Sequence, residues 1–258
     1  MTQNFGNIVL FGETGSGKSS IINMIADEPL ARAGSAANGC TFQHEFHNPI
    51  VHGRHVTLVD TAGLNEGDGS HGMVDHATAV AEFYKLMKKL DGEIDLLMLC
   101  MRGPRITTSA HMNWKVFYEI ICKKKVPIVL IVTHLENEAD GMDAWWTNNQ
   151  GEFERQGLHP DATACITAIR GRQSENGTHI FEEQYKESQA KVRNIIDEQL
   201  ELHPRRPDKK PTVIYAIIQR LLSFVGIGTR EADIRQIVRM CRMSKAEGRK
   251  LREELARE

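Results

Sequence analysis

GETGSGKS, from Gly12 to Ser19, follows the apolar run Ile8–Phe11 and leads into Ser20, Ile21, Ile22 and Met24, whose spacing suits a helix. Strand, glycine-rich loop and helix in that order are the context that a phosphate-binding P-loop requires. Gly12, Gly15 and Gly17 let the backbone curl until successive N–H groups point inward, at a helix N-terminus where phosphate oxygens bind. The candidate phosphate cradle therefore comprises Gly12, Glu13, Thr14, Gly15, Ser16, Gly17, Lys18, Ser19 and Ser20. Lys18 adds a charge for the β- and γ-phosphates, and the Ser19 hydroxyl is placed to bind Mg²⁺. A flexible turn before an ordinary helix is the bland alternative, and it must account for both the motif and its context.

Apolar runs of strand length recur between helical patterns along the chain: Ile8–Phe11, Val56–Val59, Leu96–Met101, Ile128–Val132 and Ala164–Thr167. Helices are expected over Lys18–Ala26, Val74–Leu90, Ser109–Lys124, Asp143–Arg155 and Phe181–Leu202. Strands alternating with helices give a three-layer α/β fold around a mostly parallel sheet. One segment departs from the alternation. Phe42–Ile50 reads as extended and meets Val56–Val59 across a short turn at His52 and Gly53, which predicts an antiparallel edge hairpin beside the phosphates.

The 258 residues, 41% of them hydrophobic, suffice for one substantial core plus an appendage. The start, MTQNFGN, has neither a basic nor an apolar leader region, and no stretch reaches the length of a membrane span, so a soluble, cytoplasmic protein is expected. Cys40, Cys100, Cys122, Cys165 and Cys241 are odd in number, scattered and without a CxxC pair, and read as reduced core residues. ELHPRRPDKKP, from Glu201 to Pro211, reads as a linker, which divides the chain into a main domain over 1–202 and an extension over 203–258. The extension holds two helical candidates, Val213–Val225 and Glu231–Leu255. From Glu201 onward, 14 Lys and Arg face 8 Asp and Glu, a charge of +6, so residues 1–200 carry −8 of the overall −2. A basic appendage on an acidic body suggests docking on its own domain, an acidic partner or a membrane.

Two further loops carry chemistry. Asp60-Thr61-Ala62-Gly63 ends a strand beside the P-loop, where Asp60 can hold the Mg²⁺ shell through water and the Gly63 N–H can sense a γ-phosphate. The loop after Ile128–Val132 reads Thr133-His134-Leu135-Glu136, at the carboxyl end of a parallel strand where ligands bind. The Glu136 carboxylate can accept hydrogen bonds from guanine N1 and N2, whereas its charge repels the N1 lone pair of adenine. His134 is placed to lie flat against the base.

Order and spacing of these motifs resemble the translation-factor class of P-loop GTPases. THLE, GETGSGKSS and the block LLMLCMRGPRITTSA resemble the GTPases of immunity-associated proteins together with the septin and chloroplast-import-receptor branch, most of all stand-alone fungal G-domain proteins with the same MRGPR and WW segments. The resemblance covers about residues 5 to 200 and says little about the tail. It implies a G domain that binds GTP and GDP with Mg²⁺, hydrolyses GTP, and uses Lys18, Thr41 and Gly63 at the transferred phosphate. It implies metal ligation by Ser19, Thr41 and Asp60, with Ser35 as the fallback for Thr41. It also implies that Thr133, His134 and Glu136 read the base, and that Thr167 and Ala168 match the usual serine-alanine pair at guanine O6.

Leu64 departs from that pattern, since many GTPases have a water-orienting glutamine there. Slow unaided hydrolysis follows, with Asn65, Glu66, His71 or a partner's residue to replace the glutamine. Arg102 and Arg105 read as surface charges before they read as an arginine finger. His44, His47, His52 and His55 do not suggest zinc, because residues three apart in a strand fall on opposite faces. Trp145 and Trp146 read as packing residues before they read as a lid. In the tail, Ile214, Ile217, Ile218, Leu221 and Val225 make an apolar stripe that packs on the G domain or another subunit before it meets a membrane. A homodimer through the nucleotide face or the C-terminal helices fits this reading, and nucleic acid is not an expected partner. The rival functions are an ATP-dependent P-loop enzyme and a non-catalytic scaffold stabilised by nucleotide.

Overall fold

The computed structural model describes residues 6–31, 44–61, 86, 89, 90, 93–122, 124–204, 245 and 249. Thr41, Gly63, Ser35, Leu64, most of the expected helix Val74–Leu90, and both helical candidates of the tail apart from residues 245 and 249 lie outside the described residues.

The uninterrupted apolar stretch behind the P-loop becomes β1 (Gly6–Gly12), whose seven residues are all buried. A strand with this pattern must be covered on both faces and paired on both edges, which places it inside a parallel sheet. It pairs in parallel with β4 (Arg54–Thr61) on one side and β5 (Leu96–Arg102) on the other. β5 pairs with β6 (Ile128–Thr133), and β6 with β7 (Ala162–Cys165), again in parallel. β2 (His44–His47) completes the order β2-β4-β1-β5-β6-β7 as an antiparallel edge, and β3 (Ile50–Val51) also pairs with β4.

The expected hairpin is present. His44↔Thr61, His47↔Leu58, Ile50↔His55 and Val51↔Arg54 share one register, so β2 and β3 form one arm interrupted at Asn48 and Pro49. Proline has no N–H to add to a ladder and is tolerated on an edge. The Val56 N–H still reaches the Pro49 carbonyl at 3.2 Å, which keeps the register. His52 and Gly53 both take positive φ, 44° and 81°, as a two-residue turn between twisted strands demands.

Helices cover both faces. α1 (Lys18–Ala26) and the long α4 (Glu182–Leu202) bury Ile21, Ile22, Ile25, Val192, Ile196 and Leu200 against Ile8, Leu10, Leu58 and Ile131. On the other face, α2 (Thr108–Asn113), its π-helical continuation Trp114–Ile121, and α3 (Met142–Arg155) bury Trp114, Phe117, Trp145 and Phe153 against Val9, Phe11, Leu99 and Leu130. The expected helix Ser109–Lys124 is thus an α-helix that loosens into wider turns. Trp145 is a core residue whose indole N–H donates to the Pro104 carbonyl at 2.9 Å, and Trp146 packs partly buried against the same core. Cys100, Cys122 and Cys165 are buried and free, and burial pushes the first two thiols up to about 12.

Candidate nucleotide site

The parallel strands end on one side, and their registers align those ends: Leu10 sits beside Asp60, Gly12 beside Cys100, Arg102 beside Thr133, and Val132 beside Cys165. The chain leaves β1 toward β4 on one side and later adds β5 on the other, so the P-loop stands at the switch point where open α/β sheets bind ligands.

Gly12 is required by space. A Cβ there would lie 2.1 Å from the Cys100 carbonyl oxygen, and its φ is 147°. Gly17 caps α1 at φ 90°, where a side chain is strained and would press on Thr133 Cγ2 at 3.3 Å. α1 has no side-chain cap and no acidic residue in its first turn, so none of its own side chains competes with an anion for its first N–H groups. Lys18 is buried and folds back over the loop, donating to the Gly12 and Glu13 carbonyls at 3.2 and 2.9 Å. The Glu13 carboxylate turns toward α2 instead, where it accepts from the Thr107 hydroxyl, the N-cap of that helix. Glu13 thus contributes backbone to the cradle and its side chain to loop anchoring. Thr14 and Gly15 are exposed, Ser16 is buried, and Ser20 is half-buried on α1.

At the end of β4, the Ser19 hydroxyl donates to Asp60 Oδ2 at 2.6 Å. Burial raises the Asp60 pKa, while the Ser19 hydrogen bond and the Lys18 charge pull it back toward the ionised form. The Thr61 hydroxyl, fully buried, donates to the Leu10 carbonyl at 2.8 Å and fixes this end of β4 against β1. Two hard oxygen donors, one anionic, meeting beside an anion cradle form a donor set that fits Mg²⁺.

The THLE loop is tied to the phosphate loop by one hydroxyl. Thr133 Oγ1, fully buried, donates to the Ser16 carbonyl at 3.0 Å, with the Met101 carbonyl at 3.3 Å. With its proton committed there, Thr133 can only accept from His134 Nδ1, 2.8 Å away, which fixes the imidazole as the Nδ1–H tautomer. His134 adopts φ 62°, and its pKa is lowered by burial first and by Arg102 second, with Glu136 opposing. Arg102 and Arg105 are both exposed. Leu135 is buried, its N–H 3.4 Å from the Ile166 carbonyl, which leaves Glu136 half-buried on the far side. Glu136 Oε2 is buried without a hydrogen-bond partner among the described residues. An unpaired buried carboxylate oxygen is costly, and a donor from water or a ligand would relieve it.

The lowered pKa has a thermodynamic sign. The unfolded chain holds the His134 proton more tightly than the folded one, so this residue's contribution is complete above pH 6.5 and is lost as pH falls below it. Urea midpoints measured from about pH 8 to about pH 5 are expected to fall more steeply for wild type than for His134→Asn; equal slopes would contradict the burial of a neutral ring.

Strand β7 ends at Cys165, two residues earlier than the sequence pattern suggested, so Thr167 and Ala168 lie in the loop beyond it. The Thr167 N–H is committed to Ser188 Oγ at 3.1 Å, which in turn donates to the Gln184 carbonyl at 2.6 Å. Within the pair, the Ala168 N–H has no partner among the described residues. Ser188→Ala is expected to cost about 1–3 kcal/mol, because Thr167, fully buried, loses its acceptor. Denaturant melts test this, and a change below about 0.5 kcal/mol would contradict it.

Sequence reasoning missed Thr107, Ser188 and the Thr133–Ser16 bond as supports of the site. The only local signal was Thr107 three residues before Ala110, an N-cap spacing; the other two join segments far apart in the chain.

Residues 7–134 match the model of a family described as 50S ribosome-binding GTPase. The fold is the three-layer α/β fold of a P-loop GTPase domain. The chain is 26% identical over 147 residues to GTPase Der of Campylobacter curvus, an alignment covering 57% of this chain and 29% of that protein. It is 25% identical over 121 residues to "Probable GTP-binding protein EngB" of Ehrlichia canis, covering 45% of this chain and 60% of that protein. The chain thus spans less than two thirds of the length of either relative. Toc33 from Arabidopsis thaliana shares the fold, with a TM-score of 0.51 and 16% identity over 78% of this chain and 85% of that one. No described helix is long and apolar enough to cross a membrane.

Proposed function

We propose that this protein is a guanine-nucleotide switch that binds GTP and GDP with Mg²⁺ and, unaided, hydrolyses GTP to GDP and phosphate slowly. The observation that carries the reading is the Thr133 hydroxyl bonded to the Ser16 carbonyl at 3.0 Å. It couples a phosphate cradle to a loop bearing a half-buried carboxylate whose Oε2 has no hydrogen-bond partner among the described residues, so one ligand with phosphates at one end and two N–H donors at the other fits both.

In this reading Lys18 and the loop amides hold phosphates, Ser19 and Thr41 would hold Mg²⁺ with Asp60 acting through water, and Gly63 reports the γ-phosphate. Bound there, Mg²⁺ would supply charge neutralisation to the phosphates. Glu136 accepts from guanine N1 and N2, the neutral His134 ring lies against the base, Thr133 keeps the base loop in place, and the Thr167–Ala168 segment meets O6. Within the P-loop GTPases, the chain is assigned to the branch of immunity-associated GTPases, septins and chloroplast import receptors, on its resemblance to these and to stand-alone fungal G-domain proteins. The G domain ends near residue 202, and the extension packs on it or on a second subunit before it contacts a membrane. The protein works in the cytoplasm, and its partners include no nucleic acid.

Leu64 in the glutamine position sets the expected rate: single-turnover hydrolysis comparable to a glutamine-bearing GTPase without its activator, about 10⁻⁴ s⁻¹. The exposed Arg102 and Arg105 are surface charges, so the Arg102→Ala and Arg105→Ala proteins are expected to match wild type in that assay. A tenfold loss in either would make that arginine a finger instead. No phosphate release at any protein concentration would leave a nucleotide-stabilised scaffold as the better reading.

A further inference from the structure

The tip of the edge hairpin is fastened to the end of α4. His52 Nδ1 hydrogen-bonds Asp197, and Arg54 pairs with Glu201 at 2.6 Å, so the chain leaves α4 beside the β3–β4 turn. The hairpin's outer surface is unfinished. Among the described residues no strand pairs with the free side of β2, and Phe46 and Ile50 are 39% and 56% exposed. They share one face: Phe46 lies opposite Val59 and Ile50 opposite His55, on the face away from α4. Leu202, at the end of α4, is 69% exposed. Natural proteins protect such an edge with charge, proline, a bulge or a covering helix. Pro49 and Glu45 supply the first two only in part, since two large apolar side chains remain in water.

We propose that the C-terminal segment Val213–Val225 docks across this edge, laying Ile214, Ile217, Leu221 and Val225 on Phe46 and Ile50. Reach permits it. From Leu202 to Val213 the chain can extend about 36 Å, while Phe46 lies only about 17 Å along the arm from Val51, the strand partner of the Arg54 that holds Glu201. Charge favours it: the connecting residues include Arg205, Arg206, Lys209 and Lys210, and they pass exposed Glu198 and Glu201 on α4 and exposed Glu45 on β2. The +6 tail and −8 body attract as wholes. Docking here places the tail on the arm that joins residues 32–43 to Asp60. It stands independently of which nucleotide the site prefers.

Hydrogen exchange on the full chain tests the proposal. Amides of 213–225 are expected to exchange at least about tenfold slower than in a free peptide, and to lose that protection in the Phe46→Asp, Ile50→Asp double variant while α4 keeps its own. Reciprocally, Ile217→Asp with Leu221→Asp should speed exchange over 44–51. Unprotected 213–225 amides in wild type, or protection that survives the hairpin substitutions, would overturn the proposal. Protection that rises with protein concentration would assign the edge to a second copy, and protection seen only with anionic vesicles would assign the tail to a membrane; either result also overturns it.

Discussion

Replacing Lys18 by methionine is expected to weaken GDP and GTP binding by about 100-fold while leaving the fold intact. The stem of Lys18 is buried, and methionine fills that space, so the substitution removes the ammonium rather than the packing. What is lost is a charged donor that sits 3.2 and 2.9 Å from the Gly12 and Glu13 carbonyls and is poised over the cradle. Charge-assisted hydrogen bonds are worth about 1.5–3 kcal/mol each, which at the upper end is two decades in Kd. Guanosine without phosphates should bind both proteins alike, because the ammonium of Lys18 is held at the Gly12 and Glu13 carbonyls of the phosphate loop. Isothermal titration with GDP and guanosine separates the two terms; an unchanged Kd for GDP would show that the phosphates do not lie in this loop.

Glu136→Gln is expected to reverse base preference. A carboxylate accepts from both N1–H and the N2 amino group of guanine, whereas a carboxamide accepts once and donates once. Guanine then faces a donor where its own donor sits, and xanthine, with O2 in place of the amino group, matches the new pattern. GDP affinity should fall by about 10²–10³-fold, and xanthosine diphosphate should become the tighter ligand. Sites that hydrogen-bond a ligand group discriminate by about 10⁴–10⁵ against analogues lacking it, so a swing of this size is within range. Glu136 can carry it because Oε2 is already buried and unpaired, so its desolvation cost is met before ligand arrives. Retained GDP preference in the variant would remove Glu136 from base recognition.

Much of this was legible because its causes are local. The P-loop shows in sequence through glycines that only particular backbone angles require, as Gly12 and Gly17 do. The edge hairpin shows through His52 and Gly53 between extended runs, since a two-residue turn fixes the register of everything on either side. The buried strands β1, β5 and β6 show as unbroken apolar runs, the mark of parallel strands covered on both faces.

The rest depended on contacts between distant segments. The π-helical turns of Trp114–Ile121 keep the same apolar spacing as an α-helix over so short a stretch, so periodicity could not reveal them. Thr167 has strand-like chemistry, yet Ser188 of α4 takes its N–H and draws it out of the ladder. Glu13 read as part of the phosphate cradle, and only the fold brings Thr107 against its carboxylate. The two tryptophans read as packing residues, and the Pro104 carbonyl explains how Trp145 satisfies its indole within the core.

Competition for a bound fluorescent GDP analogue in Mg²⁺ tests the central claim most directly. GTP and GDP are predicted to displace the probe at concentrations at least about a thousandfold below those needed for ATP or ADP. Displacement by ATP at equal or lower concentration would contradict a guanine switch, and would show that THLE does not read the base.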